Sequence, residues 1–419
     1  MDKFVIRGGK RLSGSVKTDG SKNAGLPIIA GAILISKGET ILENIPPLRD
    51  IFTIEKMLGH LGARVEYDPK AKRMIIDSTH VNENTAPYEL MRQMRASFLV
   101  LGPLLGRLGE ARVSLPGGCS LGARPVDYHI NGFRALGAEI LEEGGYVIAK
   151  ARPLKGATIH FDRPSHTGTE NILFGATLAK GTTRIVNAAC DPEVVDVANF
   201  LNAAGAQIHG AGTSTIMIDG VKSLNPVKYK VSGDRLVSGT YMCAAGITGG
   251  DIEITGMNPS HLTMVSRKLY EMGCTITEGK TNVRVQGPKR LKPVKVVTFP
   301  FPGFPTDLQA CIMALATVAD GTSNIKETVF EDRFNHTMEL RRLGADVSVT
   351  SDEALVKGVE KLRGTSVMAS DIRAGAGLVL ACLSAEGVSE VLRVYHIDRG
   401  YDRLEEKLSM LGADIKRAN

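Results

Sequence analysis

"LGARV", from Leu61 to Val65, decides the fold because the chain repeats it. The pattern is Leu-Gly-Ala, a charged or polar residue, then Ile or Val. It returns as Leu136-Gly137-Ala138-Glu139-Ile140, Leu343-Gly344-Ala345-Asp346-Val347 and Leu411-Gly412-Ala413-Asp414-Ile415. Looser copies stand at Ala204-Gly205-Ala206-Gln207-Ile208 and Met272-Gly273-Cys274-Thr275-Ile276. Their first residues are spaced 75, 68, 68, 71 and 68 positions apart, too regular for chance. A second set of glycines, Gly38, Gly109, Gly181, Gly250, Gly321 and Gly387, keeps pace at intervals of 71, 72, 69, 71 and 66.

The two markers frame one unit. An apolar segment closes on the first glycine, as a helix does at its C-terminus. A short β-prone run follows, such as "TRIVN" (183–187), then an amphipathic segment such as "EVVDVANFLNAAGA" (193–206), with apolar residues three and four apart. "QIHG" and "STIMID" then read as short strands. Solenoid repeats are shorter, about 20–50 residues, so each unit is expected to be a small fold of its own. A chain of 419 residues favours two domains. The expected fold is therefore α/β (α+β), two domains of three units each around a pseudo-threefold axis. A linear array of αβ modules is the alternative.

Composition narrows the function classes. Hydrophobic residues make up 43% and charged residues 23%, ordinary for a globular protein. No apolar run approaches the length of a membrane span. The start, "MDKFVIRGGK", has an apolar run of only Phe4 to Ile6, so no secretory signal and a cytoplasmic location are expected. Net charge is +6, spread evenly without a basic-aromatic stripe, which disfavours nucleic acid and suits a small anion. The six cysteines form no C-x-x-C pair, and the histidines show no ligand spacing, so no metal or disulfide framework is expected. Five cysteines sit in apolar or alanine-rich surroundings and read as inert thiols. Cys119 differs, lying in "LPGGCSLGARP" (115–125), a glycine-rich loop that also carries Arg124.

Other positions offer chemistry, each with a plain alternative. In "DGSKNA", Ser21 reads as an N-cap and the helix starts beside it, which puts Lys22 and Asn23 where anions are favoured. The alternative is a solvated lysine in a capped turn. Arg95, Arg124 and Arg399 lie in three different units near turn residues. A guanidinium fork binds phosphate or carboxylate bidentately, but surface ion pairs are the commoner use of arginine. Asp307 in "PGFPTDLQ" stands at a loop-to-helix junction, as a proton acceptor or as a helix cap. An electropositive loop would acidify Cys119. An incidental exposed thiol remains the alternative there.

The stretches "DGSKNAGLP", "MRASFLVLGPLLGR", "LPGGCSLGARPVDYHINGFRALGA", "PGFPTDLQA", "ETVFEDRFNH", "ASDIRAGAGLVLA" and "YHIDRGYDRLEEKLSMLGADI" span the chain. Together they resemble the enolpyruvyl transferases of the EPSP synthase family, and within it the members that use UDP-N-acetylglucosamine. The resemblance implies an inside-out α/β barrel in each domain, with domains of 22–231 and of 1–21 plus 232–419 and an active site in the cleft between them. It implies phosphoenolpyruvate and UDP-N-acetylglucosamine as substrates, no cofactor and no metal. Cys119 would protonate the methylene carbon of phosphoenolpyruvate and be alkylated by fosfomycin. Lys22, Asn23, Arg124 and Arg399 would hold phosphoenolpyruvate, with Arg95 assisting, and Asp307 would meet the sugar 3-hydroxyl. Asp371 and Arg373, paired with one another, would support them. Arg124, Pro125, Val126, Asp127 and His129 resemble the uracil-binding segment, Arg163 and Ser165 the diphosphate site, and Val329 the sugar contact.

Two stretches depart from the pattern. Ser165-His166-Thr167-Gly168-Thr169 stands where "SVGAT" is usual, and Gly233-Asp234-Arg235-Leu236-Val237-Ser238-Gly239-Thr240 where "PDRIETGT" is usual. These leave open a related acceptor such as shikimate 3-phosphate, or a non-catalytic paralogue that binds nucleotide sugar.

Overall fold

All six repeats of the deciding stretch have one geometry in the computed structural model, which describes residues 2–92, 94–115 and 126–418. Each ends an amphipathic helix. Gly62, Gly137, Gly205, Gly273, Gly344 and Gly412 take φ between +86° and +105°, which L side chains adopt at a steric cost. In every copy the glycine N–H bonds to the carbonyl three residues back (2.9–3.1 Å), and the next residue's N–H to the carbonyl five back (2.9–3.1 Å). That pair of bonds satisfies the carbonyls a helix end leaves open. The residue before the glycine is at most 1% exposed in all six copies. The pattern therefore records an apolar anchor, a left-handed turn and the entry to a strand.

The second glycine set behaves differently from a helix terminus. Only Gly109 caps a helix, Leu101–Leu108. Gly38, Gly181, Gly321 and Gly387 lie beyond the helix ends, at positive φ immediately before a strand, and in the fourth unit that conformation falls on Gly249 rather than Gly250. The constraint there is the turn into the strand, not the end of the helix.

The units build six four-stranded sheets of identical order. In one of them Thr158–His160 runs parallel to Thr182–Val186, which pairs antiparallel with Thr215–Asp219, which pairs antiparallel with Gln207–His209. The chain divides into two compact units, at Asp19/Gly20 and at Ser232/Gly233. In the N-terminal unit, Lys228–Lys230 returns to pair in parallel with Glu39–Glu43 and complete the first sheet. In the C-terminal unit the completing strands come from the start of the chain. Lys3–Arg7 lies between Val388–Leu392 and Asp414–Ala418, and Ser13–Lys17 pairs in parallel with Asp251–Thr255.

Each unit has its own core. In the C-terminal unit three helices, Arg235–Ile247, Gln309–Ala316 and Ile372–Ser384, contact one another. Every residue of the first two is buried. Glycine lets them approach: a Cβ on Gly377 would stand 2.7 Å from the Ala310 carbonyl oxygen. The amphipathic helices and sheets cover this apolar centre. The polar side chains that matter are left at the N-termini of the inner helices, where orphan N–H groups favour negative charge.

Candidate functional site

In the C-terminal unit the site is built around Asp307. Pro302 and Pro305 lead into a 3-10 turn, Thr306–Leu308, that feeds the helix Gln309–Ala316. Asp307 does not cap that helix, which has no side-chain cap. Its Oδ1 instead accepts from Arg333 Nη2 at 2.6 Å and its Oδ2 from Arg373 Nε at 3.3 Å. Both arginines are buried, and the aspartate is partly exposed. Arg333 also donates to Thr306 Oγ1 at 2.8 Å, which fixes the turn itself. The result is a charge-compensated carboxylate held by two forks, with one edge left accessible.

Arg373 sits on the neighbouring inner helix, Ile372–Ser384, and does not pair with the Asp371 side chain as expected. Asp371 is the N-cap of that helix and accepts the backbone N–H groups of Arg373 and Ala374, both at 2.9 Å. The Arg373 guanidinium is thereby directed to Asp307 and to Tyr401 Oη at 3.1 Å. Burial alone would lower its pKa, but Tyr401 and Asp307 outweigh burial and raise it above the ordinary value. Tyr401 shares its hydroxyl with Thr240 Oγ1 at 2.9 Å. Val329 is partly buried, and its N–H donates to Glu327 Oε1 at 2.8 Å. Arg399 ends the 3-10 turn Val394–Arg399 and is partly buried.

In the N-terminal unit Ser21 caps the helix Lys22–Gly31 by accepting the Ala24 N–H at 3.2 Å. Lys22 is 8% exposed, with Nζ 3.4 Å from the buried Asp50 carboxylate, so it is not a solvated surface lysine. Asn23 beside it is partly buried. Ser165 caps His166–Thr177 by accepting the Gly168 N–H at 3.2 Å. A Cβ on Gly168 would meet that Ser165 Oγ at 2.6 Å, which explains the glycine there. Arg163 precedes the cap and is exposed, as is Asp127 at the start of Asp127–Ala135, while Val126 is partly buried.

His129 lies on the inner face of Asp127–Ala135 and is 5% exposed. Its Nδ1 is 2.9 Å from Asn171 Nδ2 and its Nε2 is 3.3 Å from Thr167 Oγ1. Asn171 Oδ1 accepts the Gly102 N–H at 2.7 Å, so its amide nitrogen faces the ring. Asn171 therefore donates to Nδ1, and the proton resides on Nε2, donated to Thr167. Burial holds the imidazole pKa down at about 4. His129 is a neutral structural link between two helices, and Thr167, one of the departures from the usual pattern, is its partner.

His166, the other departure, has both ring nitrogens facing carboxylates: Nε2 is 3.0 Å from Glu170 and Nδ1 3.7 Å from Asp191. Burial opposes its protonation, but Glu170 and Asp191 prevail and the pKa lies well above 6.5. His166, Asp191 and Glu193 present donor atoms within 4.8 Å of one another, but an imidazolium engaged on both sides is no metal ligand.

Among the described residues the five cysteines are chemically quiet. Burial pushes Cys274 and Cys382 up to about 12 and Cys311 to about 11, and raises Cys243 and Cys190 as well. Cys119, Arg124 and Pro125 lie outside the described residues, as does the side chain of Arg95, whose backbone begins the 3-10 turn Arg95–Val100.

A family model for EPSP synthase (3-phosphoshikimate 1-carboxyvinyltransferase) matches residues 6–408. The chain belongs to the EPSP synthase family. Curated relatives named UDP-N-acetylglucosamine 1-carboxyvinyltransferase include those of Desulfosudis oleivorans (strain DSM 6200 / JCM 39069 / Hxd3) and Geobacter metallireducens (strain ATCC 53774 / DSM 7210 / GS-15). They are 52% and 53% identical to it over 417 residues, covering 100% of this chain and 99% of each relative. The crystal structure of the enolpyruvyl transferase NikO from Streptomyces tendae matches with a TM-score of 0.89 at 27% identity, over 100% of this chain and 99% of that one. EPSP synthase from Acinetobacter baumannii shares the fold with a TM-score of 0.78 at 19% identity, over the whole of both chains.

In this member of the EPSP synthase family, sequence reading missed Arg333, Thr306 and Tyr401. Arg333 stands two residues after Glu331 in "ETVFEDRFNH", and nothing in its spacing links it to Asp307, 26 positions earlier. Its low exposure is the signal, and only the fold reveals it. Val237, the second departure, is 6% exposed within the apolar core, so a hydrophobic side chain fits its position.

Proposed function

We propose that the chain transfers the enolpyruvyl group of phosphoenolpyruvate to the 3-hydroxyl of UDP-N-acetylglucosamine and releases phosphate, the first committed step of peptidoglycan precursor synthesis, in the cytoplasm. The observation that carries this reading is the full-length identity of 52–53% to relatives bearing that name. The charge-compensated Asp307 is a carboxylate placed to accept a hydroxyl proton in a hydrogen bond and aim the oxygen.

In the reaction Asp307 orients the sugar hydroxyl. Cys119 delivers a proton to C3 of phosphoenolpyruvate, and the sugar oxygen bonds to C2. The tetrahedral adduct carries a phosphate and a carboxylate. Lys22, Arg124 and Arg399 hold these anions, with Asn23 and Arg95 beside them, and compensate charge as it develops. The C2–O bond to phosphate then breaks, a proton leaves C3, and the double bond returns. Arg333, Arg373 and Asp371 act through Asp307. Val126, Asp127, Arg163, Ser165 and Val329 contact the nucleotide sugar together with Arg124 and Pro125, and His129 shapes that site from inside the helix. The two units contribute jointly, and closing them over the substrates excludes water.

Phosphate release from purified protein tests the reading. Release with phosphoenolpyruvate and UDP-N-acetylglucosamine is expected. Release only with shikimate 3-phosphate would reassign the acceptor, and nucleotide binding without release would mark a non-catalytic paralogue.

A further inference from the structure

We propose that Arg417 is a positioning residue for Arg399 and acts through Asp398. Arg417 lies on the last strand, Asp414–Ala418, far from the inner helix ends. Its guanidinium grips Asp398 bidentately, Nη2 to Oδ1 at 2.6 Å and Nη1 to Oδ2 at 3.0 Å. The same group reaches Glu405 Oε1 from Nε at 2.7 Å and Asp2 Oδ2 from Nη1 at 3.3 Å. Below it lies Phe4, its cross-strand partner, with the ring centroid 5.0 Å from the guanidinium carbon. A planar fork fixed on three sides gives Asp398 one orientation, which an ammonium does not.

Asp398 immediately precedes Arg399 in the turn Val394–Arg399. That turn is flanked by Arg393 and Arg403, both at positive φ (58° and 48°), so its backbone needs holding from outside. On its inner side glycines permit tight packing: a Cβ on Gly400 would meet Ile372 Cγ2 at 2.4 Å, and one on Gly375 would meet Ile397 Cγ1 at 2.6 Å. On its outer side the Arg417 fork is the counterpart. The turn is gripped from both faces one residue before the side chain assigned to phosphoenolpyruvate, so the direction of Arg399 depends on the fork. This rests on the proposed role of Arg399 in binding that donor.

The test uses the full-length enzyme. Arg417→Lys keeps the charge and loses the fork, Asp398→Asn loses the partner, and Arg399→Ala is the reference. For Arg417→Lys the expected result is a KM for phosphoenolpyruvate raised about tenfold, a KM for UDP-N-acetylglucosamine changed less than about twofold, and a melting temperature close to the parent's. The double variant should be no worse than either single one. Arg417→Lys with an unchanged phosphoenolpyruvate KM, or with both KM values raised equally, overturns the inference while Arg399→Ala still weakens donor binding. An Arg399→Ala enzyme with normal donor KM removes the underlying reading itself.

Discussion

Replacing Gly344 by alanine separates the conformational demand of the repeat from its packing. Gly344 has φ of +92°, and a Cβ there meets nothing within 4 Å. The substitution therefore adds no clash, and its cost is that of a left-handed L residue, about 1–2 kcal/mol. A stiffer unfolded chain does not offset this, because that gain appears only where the native φ suits alanine. Gly62 occupies the same turn at +98°, but a Cβ there stands 2.7 Å from the His80 carbonyl oxygen. Gly62→Ala carries the same conformational cost plus a backbone shift, about 3 kcal/mol in all. Urea unfolding followed by circular dichroism, with the slope checked for constancy, reads the difference. A neutral Gly344→Ala, or one costlier than Gly62→Ala, would refute the reasoning that φ sets this glycine.

Stability should also fall with acid through His129 and His336, whose pKa values burial holds at about 4 against an unfolded value near 6.5. The unfolded chain binds protons between those values and the folded one does not, so the loss runs downward from pH 6.5 and is complete below 4. At pH 5 it amounts to about 2 kcal/mol per histidine; a His129→Gln variant with an unaltered acid dependence would count against the buried-ring account. Asp307→Asn should lower kcat by about 10²–10⁴, and Arg333→Lys by about tenfold, each with a smaller change in the nucleotide-sugar KM. If Arg333→Lys raises that KM and spares kcat, the fork on Asp307 is a binding device instead. An epoxide reagent at pH 7 should label Cys119 and spare the raised thiols, so peptide mapping of a Cys119→Ser variant should find no adduct; an adduct on Cys190 would locate the reactivity elsewhere.

The repeat was legible because φ is a local demand that only glycine meets cheaply, and it recurs at each helix end with a buried neighbour before it. Ser21 and Lys22 were legible for the same reason, since a capped helix start is written in adjacent residues. The partners of Asp307 were not. Arg333 and Arg373 come from 26 and 66 positions away, and an ion pair closed by tertiary packing leaves no period in the sequence. His129 was read as a ligand contact, yet its spacing with Ile130, Phe133 and Leu136 already places it on the buried face of an amphipathic helix. The pairing expected between Asp371 and Arg373 failed because an aspartate at a helix start is better used on the open N–H groups.

The strands Lys3–Arg7 and Ser13–Lys17 leave the ribosome early, yet their neighbours at Asp251–Thr255, Val388–Leu392 and Asp414–Ala418 are made much later. The unit spanning Gly20 to Ser232 has all its own strands once Lys230 has emerged, and chains acquire structure by domain during synthesis. The opening segment must therefore wait, extended and unpaired, while a whole lobe folds behind it. The piece of the enzyme translated first is among the last to find its place.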